Sequence, residues 1–106
     1  MTFIDTRKLN VVERKPGWRG RYFHSPSMTF AHYEFDAGAS IHAHSHPQEE
    51  VWQVIEGELD VTIGDETMRA GPGFVAIVPP HTQHAVTAAS AGRAIVVDHP
   101  LRDDQS

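Results

Sequence analysis

Residues 38–57 read Gly38-Ala39-Ser40-Ile41-His42-Ala43-His44-Ser45-His46-Pro47-Gln48-Glu49-Glu50-Val51-Trp52-Gln53-Val54-Ile55-Glu56-Gly57. Three histidines stand at alternate positions, a pair of carboxylates follows, and a glycine closes each end. Side chains two apart on a β-strand point to the same face. On a strand, therefore, His42, His44 and His46 project together toward one point. A sheet protein gathers imidazoles in this way to hold a metal ion.

Outward from this stretch, glycine and proline recur about every ten residues, and the segments between them are short and β-branched or alternating. That spacing predicts an all-β sandwich or barrel. Upstream, strands are predicted at 9–13, 21–24 and 28–35, broken at Pro16-Gly17 and at Ser25-Pro26-Ser27. Along 28–35, alternation offers either Met28, Phe30, His32 and Glu34 or Thr29, Ala31, Tyr33 and Phe35 as the inner wall. The histidines fall on 41–46, a strand ended by Pro47, which lacks a backbone donor. In 50–55, Glu50, Trp52 and Val54 share one face and Val51, Gln53 and Ile55 the other. Both faces carry apolar groups, as expected of a strand covered on both sides. Strands 59–63 and 67–70 form a hairpin across Gly64-Asp65-Glu66. The wholly apolar run 74–78 is expected to be buried, and 84–87 and 93–98 complete the set.

At 106 residues the chain is read as a single domain, long enough to bury roughly two-thirds of its unfolded surface. Residues 1–20 form an N-terminal strand arm and 100–106 a polar tail. Without cysteine, disulfides, thiolate nucleophiles and thiolate metal sites are excluded. Acidic residues outnumber basic ones by 14 to 9, and the basic ones are scattered except for Arg14-Lys15 and Arg19 to Arg21, so little is present to make a patch for a nucleic-acid backbone. No apolar run approaches the roughly 20 residues of a membrane helix, nor does the N-terminus read as a signal peptide. The expected setting is cytoplasmic, without a membrane partner. The unusual number is eight histidines.

A mononuclear transition-metal site wants imidazole and carboxylate donors at about 2.0–2.2 Å. Two histidines at i and i+2, a carboxylate from the next strand and a histidine from a distant strand supply three nitrogens and one oxygen. His44, His46, Glu50 and His84 are that set, and two coordination positions remain for water, substrate or dioxygen. Ligand type does not choose among iron, manganese, nickel, zinc and copper, so the expected cofactor is one divalent transition metal ion. His42 shares the parity of these residues and is assigned to the pocket rather than to the metal.

The same residues resemble the cupin family. Gly38, five residues, His44-Ser45-His46, three residues, Glu50, six residues and Gly57 match the first cupin motif. Gly73, Pro79 and His84 stand at the spacings of the second, with His81 in place of a glycine and Ala88 in place of an asparagine. The resemblance covers roughly 28–98. It implies an antiparallel double-stranded β-helix, a jelly-roll barrel, with a ligand held inside against the metal. It also implies a homodimer in which N-terminal strands cover the partner's sheet. Trp52 and His81 are assigned to the pocket wall and mouth.

The C-terminal segment is similar to that of the pectin-degradation cupins that ketonise unsaturated uronates, in which Pro-x-Arg-x-Asp follows the last strand. Pro100, Arg102 and Asp104 match. The catalytic aspartate of that group falls on Val96 and its aromatic partner on Asp98. Asp98, two residues away on the same face, is the candidate to move the proton, and Arg102 the candidate to hold a substrate carboxylate. The expected function is a metalloenzyme acting on a small oxygenated molecule, of the sugar-acid isomerising or ketonising type. An iron-dependent dioxygenase and a non-catalytic small-ligand sensor are the alternatives.

Overall fold

The computed structural model describes residues 2–102. Ten strands follow one 3-10 turn at Thr6–Lys8: β1 (Val12–Lys15), β2 (Trp18–His24), β3 (Thr29–Phe35), β4 (Ser40–His44), β5 (Glu49–Glu56), β6 (Leu59–Ile63), β7 (Glu66–Ala70), β8 (Val75–Val78), β9 (His84–Ala88) and β10 (Gly92–His99). They form a six-stranded sheet, β1-β2-β3-β10-β5-β8, and a four-stranded sheet, β4-β9-β6-β7. All pairs are antiparallel. The two sheets close on one another as a jelly-roll barrel, in agreement with the all-β expectation. No helix among the described residues is long and apolar enough to cross a membrane.

Alternation decides which side chains fill the barrel. On β3 the inner wall is Thr29, Ala31, Tyr33 and Phe35, of which Thr29, Ala31 and Phe35 are buried. Trp18 lies at the centre of the apolar end, with ring centroids 5.6 Å from Tyr33, 5.3 Å from Phe35 and 5.8 Å from Trp52. Large aromatic rings packed edge to face contribute both area burial and quadrupole attraction. Leu59, Val61, Val86, Ala94 and Val96 complete this end. The turn from β5 to β6 requires glycine: Gly57 has φ +79°, and a Cβ there would run into the Ala91 carbonyl oxygen.

Three expectations need correction. The first strand runs over Val12–Lys15, not 9–13. Run 74–78 is not buried throughout, since Val75 is 52% and Ile77 59% exposed. Its strand, β8, belongs to the six-stranded sheet, whose outer face is uncovered, so only alternate residues, Ala76 and Val78, turn to the core. For the same reason β5 is covered on one side only: Glu50, Trp52 and Val54 are buried, whereas Gln53 is exposed.

The outer face of the large sheet then carries an apolar row along one register line. Phe23 pairs with Phe30, Phe30 with Val97, Val97 with Val51, and Val51 with Ile77. Phe23 and Phe30 stack with centroids 4.9 Å apart.

Candidate metal centre and neighbouring acid

The barrel's other end is polar, and three elements meet there. His44 ends β4 and pairs directly across the sheet with His84, which begins β9. Between Ile41 and His44 the register slips, a bulge that replaces simple alternation. Ile41 and His44 both face inward, while the His42 side chain is exposed. His42 is nevertheless used, because its carbonyl oxygen accepts a hydrogen bond from His44 Nδ1 at 2.9 Å. His46 lies just beyond the strand.

Each of the three inward imidazoles is held by a backbone carbonyl. His46 Nδ1 donates to the Gln48 oxygen at 3.1 Å and His84 Nδ1 to the Thr82 oxygen at 2.9 Å. A carbonyl can only accept, so in each neutral ring Nδ1 carries the proton and Nε2 carries the lone pair. Ring centroids lie 4.3 Å apart for His44 and His84 and 4.9 Å for His46 and His84. Donor atoms of His44, His46 and His84 all lie within 4.8 Å of one another. This is the tautomer and convergence that ligation through Nε2 requires.

Glu50, on β5, enters from the opposite sheet. Its oxygens are 3.3 Å from His46 Nε2 and 3.1 Å from His84 Nε2. Both nitrogens are buried with no hydrogen-bond partner, so they face the carboxylate without bonding to it. Buried unpartnered donors and acceptors are costly, and a shared cation is what relieves several at once. The residues fit a divalent metal: His44, His46, His84 and Glu50 would hold it. Trp52 Nε1 donates to Glu50 at 2.6 Å, and Arg102 donates to its other oxygen at 3.2 Å. Trp52 is thus both core residue and anchor of the carboxylate. Burial alone would raise the Glu50 pKa. The adjacent His46 and His84, with Asp98 and Trp52, outweigh it and hold the group well below the usual carboxylate range.

Asp98, on β10, pairs with Glu50 across the sheet. It forms a second cluster with His46 and Glu50, again within 4.8 Å, and its Oδ1 is buried without a partner. Burial first, and then the neighbouring Glu50 carboxylate, push its pKa up to about 8, with Arg102 opposing. Arg102 lies 3.5 Å from Asp98. Its backbone N–H donates to Thr29 Oγ1 at 3.0 Å, which holds the start of the tail against β3. Asp104, the last residue of the tail element, lies outside the described residues.

His81 stands in the left-handed region, φ 61°, which histidine tolerates better than most side chains. Its N–H donates to the His46 carbonyl at 2.8 Å, so the backbone here positions a ligand while the side chain is exposed. A cavity of about 30 Å³ adjoins the cluster, with Tyr33, Ile41, His44, Asp98 and Arg102 among its lining residues, together with Lys15. Lys15 had no signal in the sequence, because what turns it inward is a bulge in strand pairing.

Ligation sets a pH dependence. Burial lowers the His44 pKa. At His84 burial acts in the same direction, but the Glu50 carboxylate and the Thr82 carbonyl prevail and raise it. Protons compete with metal for the same nitrogens, so metal affinity is expected to fall as pH drops through about 6.5 and below. Competition against a chelator of known pH dependence measures this. Constant affinity between about pH 7 and 5 would contradict ligation by histidine.

Residues 31–100 match the family model described as Cupin domain. An uncharacterized protein of Streptomyces coelicolor is 31% identical over 64 residues, 60% of this chain. The match spans 61% of that relative's length. Among solved structures, KdgF from Halomonas sp. superposes with a TM-score of 0.91 at 26% identity, covering 100% of this chain and 99% of that one. An RmlC-like cupin from Shewanella frigidimarina gives 0.92 at 23% identity, covering 100% and 96%. Oxalate decarboxylase from Bacillus subtilis, as a four-residue mutant, gives 0.85 at 21% identity, covering 97% of this chain and 30% of that one. With two histidine motifs meeting on neighbouring strands of a jelly roll, and with two-thirds of its length matched, the chain belongs to the cupin family.

Proposed function

We propose that this protein is a metal-dependent cupin that isomerises or ketonises a small sugar acid. The observation that carries this reading is the pair of buried Asp98 and half-buried Arg102 lying against the His44, His46, Glu50 and His84 cluster. Similarity to KdgF over the whole chain, together with the Pro100 and Arg102 element, supports it. A divalent metal bound to the cluster would supply a Lewis acid for a substrate oxygen. Arg102 offers a planar, charged fork suited to a carboxylate. Asp98 is the acid: with its pKa raised it holds a proton at neutral pH. In ketonisation of an enol, Asp98 delivers that proton to carbon as the enol oxygen gives up its own to water. The carboxylate so formed regains a proton from solvent.

The void of about 30 Å³ has the volume of about one water molecule, so a sugar acid must displace side chains on entry. Loss of ultraviolet absorbance from an unsaturated galacturonate, assayed with iron, manganese, nickel, zinc or copper loaded in turn, is the direct test. Absence of turnover with every metal would overturn the reading.

The apolar row from Phe23 to Ile77 supports a homodimer packed through the outer face of the large sheet. Sedimentation is expected to return twice the 11.8 kDa chain mass. Val51→Glu with Ile77→Glu is expected to return the monomer mass, since a charge buried in such an interface is costly. A monomeric native protein would refute the dimer.

A further inference from the structure

We propose that Lys15 is a second substrate-recognition cation of this site, beside Arg102, binding the carboxylate of an anionic ligand that sits against the histidine cluster. The inference rests on the sugar-acid reading for its choice of probe, but on separate observations for its residue.

The N-terminal hairpin joins β1 to β2 through Pro16-Gly17. Val12 pairs with Gly20 and Glu13 with Arg19, but Lys15 pairs with Trp18. The register slips at Arg14, so one residue of β1 is spent against none of β2. Directly paired residues on neighbouring strands share a face. Trp18 faces the barrel interior and is 1% exposed, so Lys15 faces inward too. Without the bulge it would share the parity of Glu13 and point outward. Bulges that re-aim a side chain are found beside functional sites.

The surroundings fix this geometry. Glu13 accepts a hydrogen bond from the Gly17 N–H at 3.1 Å, closing the turn. The guanidinium of Arg14 lies 3.9 Å from the centroid of the Tyr22 ring, a cation–π contact that occupies the bulged residue. Gly17 has φ +82°, and a Cβ there would lie 2.6 Å from Ala39 Cβ.

Lys15 is half-buried and lines the same cavity as His44, Glu50, Asp98 and Arg102. Among the described residues it has no hydrogen bond and no ion pair, in contrast to Arg102, which is engaged by Glu50 and Asp98. A half-buried ammonium without an anion keeps its Coulomb attraction for a ligand, and partial burial strengthens it over a surface lysine. A small carboxylate is the anion that one ammonium beside the histidine cluster complements, and it enters, as the sugar acid does, by displacing side chains. The hairpin therefore does more than cover the sheet, because it delivers a charge to the site.

The test is calorimetric binding to metal-loaded protein, with galacturonate as the anionic probe, galactose as its neutral counterpart and pyruvate as an unrelated carboxylate. Lys15→Met keeps the aliphatic stem and removes the charge, and Lys15→Glu reverses it. Lys15→Met is expected to weaken galacturonate roughly tenfold, the scale of one charge-assisted contact. Lys15→Glu is expected to weaken it further, with galactose affinity and metal content unchanged in both. Galacturonate bound equally well by native protein and Lys15→Met overturns the proposal. So does a native protein that binds none of the carboxylates, or that prefers galactose. If galacturonate or pyruvate binds in a Lys15-dependent way while unsaturated galacturonate is not turned over, the recognition role holds and the ketonising reaction fails.

Discussion

Replacement of His84 with alanine is expected to strip the protein of metal, lowering affinity on the order of a hundredfold or more. Loss of a residue that merely orients a ligand costs 10–100-fold in characterised sites, and His84 is placed to bind directly. It is 2% exposed, its Nδ1 is held by Thr82, and its Nε2 has no partner except the converging cluster. His44→Ala and His46→Ala are expected to behave alike. His81→Asn serves as the control: the side chain is exposed, and the contribution to the site is a backbone N–H that asparagine retains in the same left-handed conformation. Elemental analysis after loading and desalting distinguishes these outcomes. Full metal content in His84→Ala would refute the ligand set.

Asp98→Asn is expected to lower turnover of an unsaturated uronate by about 10²–10⁴-fold, the range for a lost general acid. The change keeps the shape of the side chain and leaves an oxygen for Arg102, so metal content and fold should be retained. Raised pKa and position make Asp98 the candidate acid: it is buried beside an ionised Glu50, and two carboxyls so close do not both ionise readily. Glu50, hydrogen-bonded by Trp52 and Arg102, takes the charge, and Asp98 keeps the proton. An Asp98→Asn variant with native turnover would move the acid role elsewhere and leave the metal site untouched.

How much of this could be read from the sequence follows from the physics of each feature. The ligand set is local in pattern: two histidines at i and i+2, a carboxylate four residues on, and a proline-marked histidine near residue 84. Turn spacing likewise carries the all-β class. What escaped reading depends on pairing between strands. The bulge after Ile41 turns His42 out and Ile41 in, and the bulge at Arg14 turns Lys15 in. A bulge belongs to two strands at once, and neither strand alone announces it. The exposure of Val75 and Ile77 depends on which face of the large sheet is left open, and no single strand records that. Arg102 could be matched to a motif, but its 3.2 Å contact with Glu50 depends on how the chain folds back after β10.

X-ray absorption of the metal-loaded protein at the metal edge tests the central claim most directly. The account predicts an inner shell of nitrogen and oxygen donors with the multiple-scattering pattern of about three imidazoles, reduced by one in a His44→Ala variant reloaded at excess metal. A spectrum of oxygen donors alone, without imidazole scattering, would contradict it.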